Sequence, residues 1–337
     1  MLEVKRNMFL ALALATALFM PVLPALASQA PLTLTDQAGR EVRIFGEPQR
    51  IVSGYYISSS ACVALGLADR LVGMEAKADS RPLYRLAAPR LLGLPHVGSA
   101  KEFDLEGCAA LEPDLVILPK RLADAADTLA ELGIPVLLVS PESHGELVEM
   151  IALLGAATGT RQPAKALTDY YARELADIEG ITQGLEGRPV VYMGANSSYL
   201  ATAPRDMYQA SLIEAAGGVN AGAEIDGNSW TEVSYEQLLA LNPEVLVIPA
   251  EAGYTKEDIF ADAQLADVEA VRQKRVYQMP KDFEAWDSPV PSCVLGFRWL
   301  LSVLHGDAYP MEAMRAEAQA FYRAFYGAEI DTALIGK

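Results

Sequence analysis

The chain has 337 residues, 27 of them Lys or Arg and 44 Asp or Glu, for a formal net charge of -17 at pH 7. So acidic a chain repels nucleic-acid phosphates and anionic lipid, which removes both as partners. The length suits two domains rather than one. Cys62, Cys108 and Cys293 are odd in number and widely spaced, which fits neither a zinc site nor a dense disulfide framework; they read as small buried hydrophobes, with one disulfide left open.

The first segment is an export signal. Lys5 and Arg6 precede an apolar run from Met8 to about Leu26 that closes on Ala25, Leu26 and Ala27, the layout of a cleaved secretory signal peptide over residues 1–27. Pro21 and Pro24 interrupt the run and no basic cluster follows it, which argues against a membrane-spanning helix. No cysteine stands at the cleavage point to carry a lipid, so the expected product is a soluble periplasmic protein.

Further along, "RIVSGYYISSSACVALGLADRLVGME" predicts a strand at Ile51–Ser53, a loop, a helix through residues 61–67 and a second strand at Leu71–Gly73. "FDLEGCAALEPDLVILP" (residues 103–119) then predicts a short helix stopped by Pro113 and a continuously apolar strand, the pattern of a parallel strand buried on both faces. "ADAADTLAELGIPVLLVS" adds a helix and another strand. Residues 162–187 follow, with Leu167, Tyr171, Leu175 and Ile178 at helical spacing and glycine only from Gly180 onward: one long linking helix.

Beyond the helix the same grammar returns. "PVVYMGANSSYLATAPRDMYQASLIEAAGG" predicts strand, polar loop and helix, and "VSYEQLLALNPEVLVIP" (residues 233–249) repeats the earlier stretch. Five of the 17 aligned positions are identical: Glu106/Glu236, Ala110/Ala240, Leu111/Leu241, Pro113/Pro243 and Pro119/Pro249. A further helix and strand follow in "DAQLADVEAVRQKRVYQMP". "DSPVPSCVLGFRWLLSVLH" predicts a helix capped by Ser288 with Pro289 in its first position, and "YPMEAMRAEAQAFYRAFYG" a closing helix. The expected fold class is α/β: two Rossmann-like βαβ lobes, residues 28–160 and 188–337, bridged by a helix at 161–187.

Local enzyme motifs are missing from the sequence. It holds no GxxxxGK[ST] phosphate loop, no dinucleotide glycine fingerprint and no HExxH, CxxC or GxSxG. His96, His144 and His305 are isolated in sequence. Nothing local argues for a catalytic residue, a resident cofactor or a metal site; a secreted α/β hydrolase with a site assembled from distant residues is the alternative that stays open from another class.

"PQRIVSGYYISSSACVALGLADRLVGME", "VGSAKEFDLEGCAALEPDLVILP", the single linking helix and "WTEVSYEQLLALNPEVLVIP" together resemble the substrate-binding proteins of ABC importers for ferric siderophores, haem, cobalamin and related metal complexes or oxyanions. "PKDFEAWDSPVPSCVLGFRWLLSVLHGDAYP" is similar to the subgroup that binds iron complexes, which has relatives handling molybdate. The resemblance implies an iron(III) siderophore-type chelate held between the lobes of a monomer and passed to a membrane permease and its ATPase. Cobalamin and then molybdate or tungstate are the alternative ligands.

In parallel α/β lobes ligands sit at the carboxyl ends of strands. The loops there hold Tyr55 and Tyr56; Lys101 and Phe103; Lys120 and Arg121; Ser198, Tyr199 and Arg205; Trp230; and Phe283 and Trp286, with Glu284 between them. Aromatic faces suit a large chelate and the cations an anionic one. For docking on the permease the resemblance implies acidic residues at the lobe tips, with Asp124 or Asp127 in the first lobe and Glu257 or Asp258 in the second.

Overall fold

A computed structural model describes residues 30–227 and 229–336, and the predicted signal peptide lies outside them. The first described element is a hairpin that the sequence reading did not anticipate, β1 (Leu32–Thr35) and β2 (Glu41–Ile44), paired antiparallel. Asp36 in its turn accepts from the backbone N–H groups of Ala38 and Arg40, and also from that of Leu138.

The first lobe runs β3 (Ile51–Ser53), α1 (Tyr56–Ala64), β4 (Leu71–Gly73), α2 (Pro82–Ala87), α3 (Leu105–Ala110), β5 (Leu115–Pro119), α4 (Ala123–Glu131), β6 (Val136–Val139) and α5 (His144–Ala157). The link is α6 (Arg161–Thr182). The second lobe runs β7 (Val190–Met193), β8 (Ala201–Thr202), α7 (Tyr208–Ala215), β9 (Val219–Asn220), β10 (Thr231–Glu232), α8 (Tyr235–Leu241), β11 (Val245–Ile248), α9 (Lys256–Ala261), α10 (Glu269–Arg272), β12 (Val276–Gln278), α11 (Cys293–Leu304) and α12 (Met311–Tyr326).

The lobes are built alike. Each holds a four-stranded parallel sheet, ordered β4-β3-β5-β6 in the first and β9-β7-β11-β12 in the second. The repeated stretches supply β5 and β11, an inner strand of each sheet. Their helices also end alike: Glu112 (φ 47°) and Asn242 (φ 39°) turn into the left-handed region immediately before Pro113 and Pro243. A proline disfavours the helical conformation in the residue ahead of it, and a left-handed residue ends the helix there.

Side chains alternate along β5. Ile117 packs toward the core that both lobes share, and Val116 and Leu118 toward a separate cluster under α3 and α4. β11 does the same, with Val245 and Val247 on the shared side and Leu246 and Ile248 on the other. Burial on both faces is the reason these strands read as unbroken apolar runs. α6 buries Leu167, Tyr171 and Ile178 in the shared core, with Leu175 partly buried beside them. All three cysteines are buried free thiols, which closes the disulfide question, and burial pushes the Cys62 and Cys293 thiols up to about 12.

One predicted boundary is corrected. The helix expected from Ser288 and Pro289 begins only at Cys293, and Ser288 caps nothing. Pro291 keeps Val290 out of the helical region, so a regular helix cannot form until the chain has passed it. Ser288 instead lies close to the Tyr56 phenol of the opposite lobe.

Candidate functional site between the lobes

In both sheets the chain turns back across its first strand, so β3 and β5, and likewise β7 and β11, flank the point where strand order reverses. Their carboxyl ends border a crevice that no crossover helix covers. On the first lobe the chain just after β3 carries Tyr55 and Tyr56, rings edge to face with centroids 5.4 Å apart. Tyr56 is the first residue of α1, and Tyr55 stands at its N-cap position in an extended conformation. Gly54 leaves the space behind them to Leu118 and Phe103: a Cβ there would meet Leu118 Cδ2 at 2.7 Å and Phe103 Cε2 at 3.5 Å.

Each tyrosine carries a guanidinium. Arg121 lies 5.9 Å from the Tyr55 ring centroid and Arg81 4.5 Å from that of Tyr56, both within cation–π reach. Tyr55, Lys120, Arg121, Ser140 and Glu142 surround a hollow of about 310 Å³ at the ends of β5 and β6. Burial raises the pKa of both phenols, which keeps them neutral hydrogen-bond donors.

The lobes meet at Arg81. Its Nη1 pairs with Glu251 Oε1 of the second lobe at 2.5 Å, a contact across 170 residues of chain. A small cavity of about 40 Å³ lies at this junction, lined from the first lobe by Tyr56, Ser60 and Arg81 and from the second by Glu251, Lys281, Phe283 and Glu284. Glu284 is 8% exposed, and its Oε2 accepts from the hydroxyls of Ser292 and Tyr326. Burial raises its pKa against the lowering effect of those bonds. Asp287 is also buried, and burial lifts its carboxyl to about 6.

The second lobe offers another hollow of about 400 Å³, lined by Ser197, Ser198, Ala201, Trp230 and Glu232. The short antiparallel pairing of β8 with β10 closes it, setting Thr231 opposite Thr202. Tyr199 faces away, its hydroxyl donating to Asp262 Oδ2 at 2.9 Å.

The remaining expectations fall outside these cavities. Trp286 is fully buried, stacked on Phe283 at 5.8 Å and donating its indole N–H to Tyr322 Oη. It is corrected from a ligand platform to a core residue, since an indole with its one donor satisfied internally fills volume best. Phe283 does line the junction. Arg205 is exposed and pairs with Glu224 in a separate surface hollow, Lys101 is exposed, and Phe103 supports the Tyr55 loop from the first lobe's outer cluster. Of the docking candidates, Asp124 and Glu257 are exposed in first helical turns. Asp127 is held by Arg40 at 3.0 Å, and Asp258 caps its own helix by accepting from the Thr255 N–H. Sequence reasoning missed Arg81, Glu251 and Lys281, because nothing local separates them from other surface charges.

A family profile described as "periplasmic binding protein" matches residues 51–283. The chain belongs to that family. Relatives of this binding protein include the molybdate-binding protein MolA of Haemophilus influenzae, 25% identical over 321 residues, covering 87% of this chain and 90% of MolA. The Fe(3+) dicitrate-binding periplasmic protein FecB of Escherichia coli is 27% identical over 216 residues, covering 63% of this chain and 69% of FecB. Among solved structures, a periplasmic solute-binding protein from Veillonella parvula superposes with a TM-score of 0.81 at 24% identity, over 90% of this chain and 95% of its own. Molybdate-bound MolA does so with a TM-score of 0.79 at 21% identity, over 89% and 99%. These superpositions establish the two-lobe α/β fold.

Proposed function

We propose that the protein is the periplasmic substrate-binding component of an ABC importer, and that it captures an anionic iron(III) complex of the siderophore type for delivery to a permease and its ATPase. The observation that carries this reading is the pair of tyrosine–arginine contacts just after β3, Tyr55 with Arg121 and Tyr56 with Arg81. The first pair sets an aromatic face beside positive charge in a hollow of about 310 Å³, within the size range of small-ligand sites of roughly 300 Å³ and above, and the second does so at the small cavity of the lobe junction. The likeness to FecB supports the same reading.

One observation favours a second ligand. The cavity at the junction itself is only about 40 Å³, a size that suits a compact oxyanion, and MolA shares most of its length with this chain. The test is to recover the protein from a native periplasm and measure bound iron, molybdenum and cobalt by mass spectrometry, then titrate ferric dicitrate, a ferric catecholate, cobalamin and molybdate against Trp230 fluorescence. Iron recovered with an organic chelator, and quenching lost in Trp230→Phe, is the expected result. Molybdenum without chelator would install the oxyanion reading, and cobalt with a corrin would overturn both.

A further inference from the structure

Among the described residues a few buried polar atoms have no hydrogen-bond partner, and two of them belong to residues lining the small cavity at the lobe junction: Arg81 Nε and Glu284 Oε1. A buried polar atom left unpaired costs about 1–3 kcal/mol, so such a pair marks a place where something else completes the bonding. Arg81 already spends Nη1 on Glu251, which leaves Nε to donate to a ligand oxygen without breaking the inter-lobe contact. Glu284 poses the opposite problem. As a carboxylate it can only accept, and the anionic ligand proposed above has only oxygens to offer it.

From this geometry we propose that Glu284 holds the ligand as the neutral acid, its Oε1 carrying a proton donated to an anionic oxygen that also accepts from Arg81 Nε. The inference rests on the anionic-ligand reading and adds to it a proton that must be present in the complex. Oε2 already accepts from Ser292 and Tyr326, so the proton has one oxygen left to occupy, and that oxygen is the unpaired one. Around the carboxyl, α11 and the turn before it contribute Ser292 and Cys293, α12 contributes Tyr322 and Tyr326, and α6 contributes Tyr171. Ser60 faces it from α1, and the charged groups lining the same cavity are Arg81, Lys281 and Glu251. Glu251 is already committed to Arg81, so the two cations are the groups that oppose protonation; burial favours it.

The consequence is a binding affinity that falls as pH rises. An anion held by a neutral acid loses affinity by up to about tenfold per pH unit once that acid ionises in the ligand-free protein. The experiment measures affinity for ferric dicitrate and for molybdate, by calorimetry on the mature protein, from about pH 7 to about pH 9, above the range in which Asp287 titrates. Wild type is expected to weaken as pH rises, and Glu284→Gln, which keeps an N–H donor at the same place, to vary by less than about threefold. The second readout is a carboxylic-acid C=O band in the infrared spectrum of the wild-type complex that Glu284→Gln removes. A complex without such a band overturns the proposal while leaving the anionic ligand intact. Failure of ferric dicitrate, a ferric catecholate and molybdate alike to bind a folded protein overturns the anionic-ligand reading, and the proposal falls with it.

Discussion

Asp287 shows how one buried carboxyl can write itself into the stability of the whole chain. Its Oδ1 has no partner among the described residues, and burial lifts its pKa to about 6 from 3.8. Between those values the folded state binds more protons than the unfolded one, so stability falls as pH rises from about 4 to about 6 and stays lower above. Asp287→Asn is therefore expected to raise the melting temperature at neutral pH, by up to about 3 kcal/mol of stability, and to have little effect near pH 4. Thermal melts of the two proteins at both pH values check it; equal shifts at both would show that packing and not ionisation is at work. Trp286 and Trp230 make the complementary point about side chains. Both were expected at the ligand; Trp230 borders a cavity while Trp286 is fully buried, and no property of a tryptophan in sequence separates the two.

The linking helix α6 was legible from its apolar spacing, but not its most consequential residue. Glu174 sits on the buried stripe with Leu167, Tyr171 and Ile178 and meets Arg298 of α11 at 2.6 Å. Arg298 is 4% exposed and also reaches Asp177 at 2.7 Å and Glu317 of α12 at 3.4 Å, with the Tyr309 ring 5.1 Å from its guanidinium carbon. Three helices are thus joined through one guanidinium. Burial lifts Glu174 to about 7, and the Arg298 charge offsets part of that rise. Arg298→Ala is expected to cost about 3–5 kcal/mol, because it leaves Glu174 and Glu317 buried without a counter-charge. Combining it with Glu174→Leu should recover a good part of the loss in urea unfolding; no recovery would mean that the guanidinium matters for its packing alone. The sequence could not announce this cluster, since its members lie far apart in the chain and a glutamate at helical spacing reads as a solvated one.

Across the whole molecule, the two lobes are not independent bodies hung on a rod. One apolar core runs from the first sheet through α5 and α6 to α11 and α12 and on to the second sheet. That continuity limits how far the lobes can part without exposing apolar surface. The Arg81–Glu251 pair closes the crevice from the other side, but both groups are partly exposed, at 25% and 55%. An exposed pair of this kind contributes about 1 kcal/mol or less, so it aligns the lobes more than it holds them. Asp124 and Glu257 lie in matching positions, each in the first turn of the helix that follows the repeated strand. If these carboxylates meet the permease, Asp124→Lys with Glu257→Lys will abolish uptake of ligand by cells while changing its affinity in solution far less, since neither side chain lines the hollows between the lobes. Unimpaired uptake by the double variant would place docking elsewhere.

What the sequence determined by itself was the frame. Apolar runs buried on both faces, prolines that end helices in two matching places and a 3.6-residue stripe along α6 are local patterns, and local sterics and burial are enough to read two like lobes and a link. The tertiary structure decided who meets across the crevice. Arg81 and Glu251 are 170 residues apart, Ser60 and Glu284 come from opposite lobes, and Pro291 delays a helix that Ser288 had promised. Such pairings depend on the relative placement of strand ends, which hydrophobic periodicity does not encode.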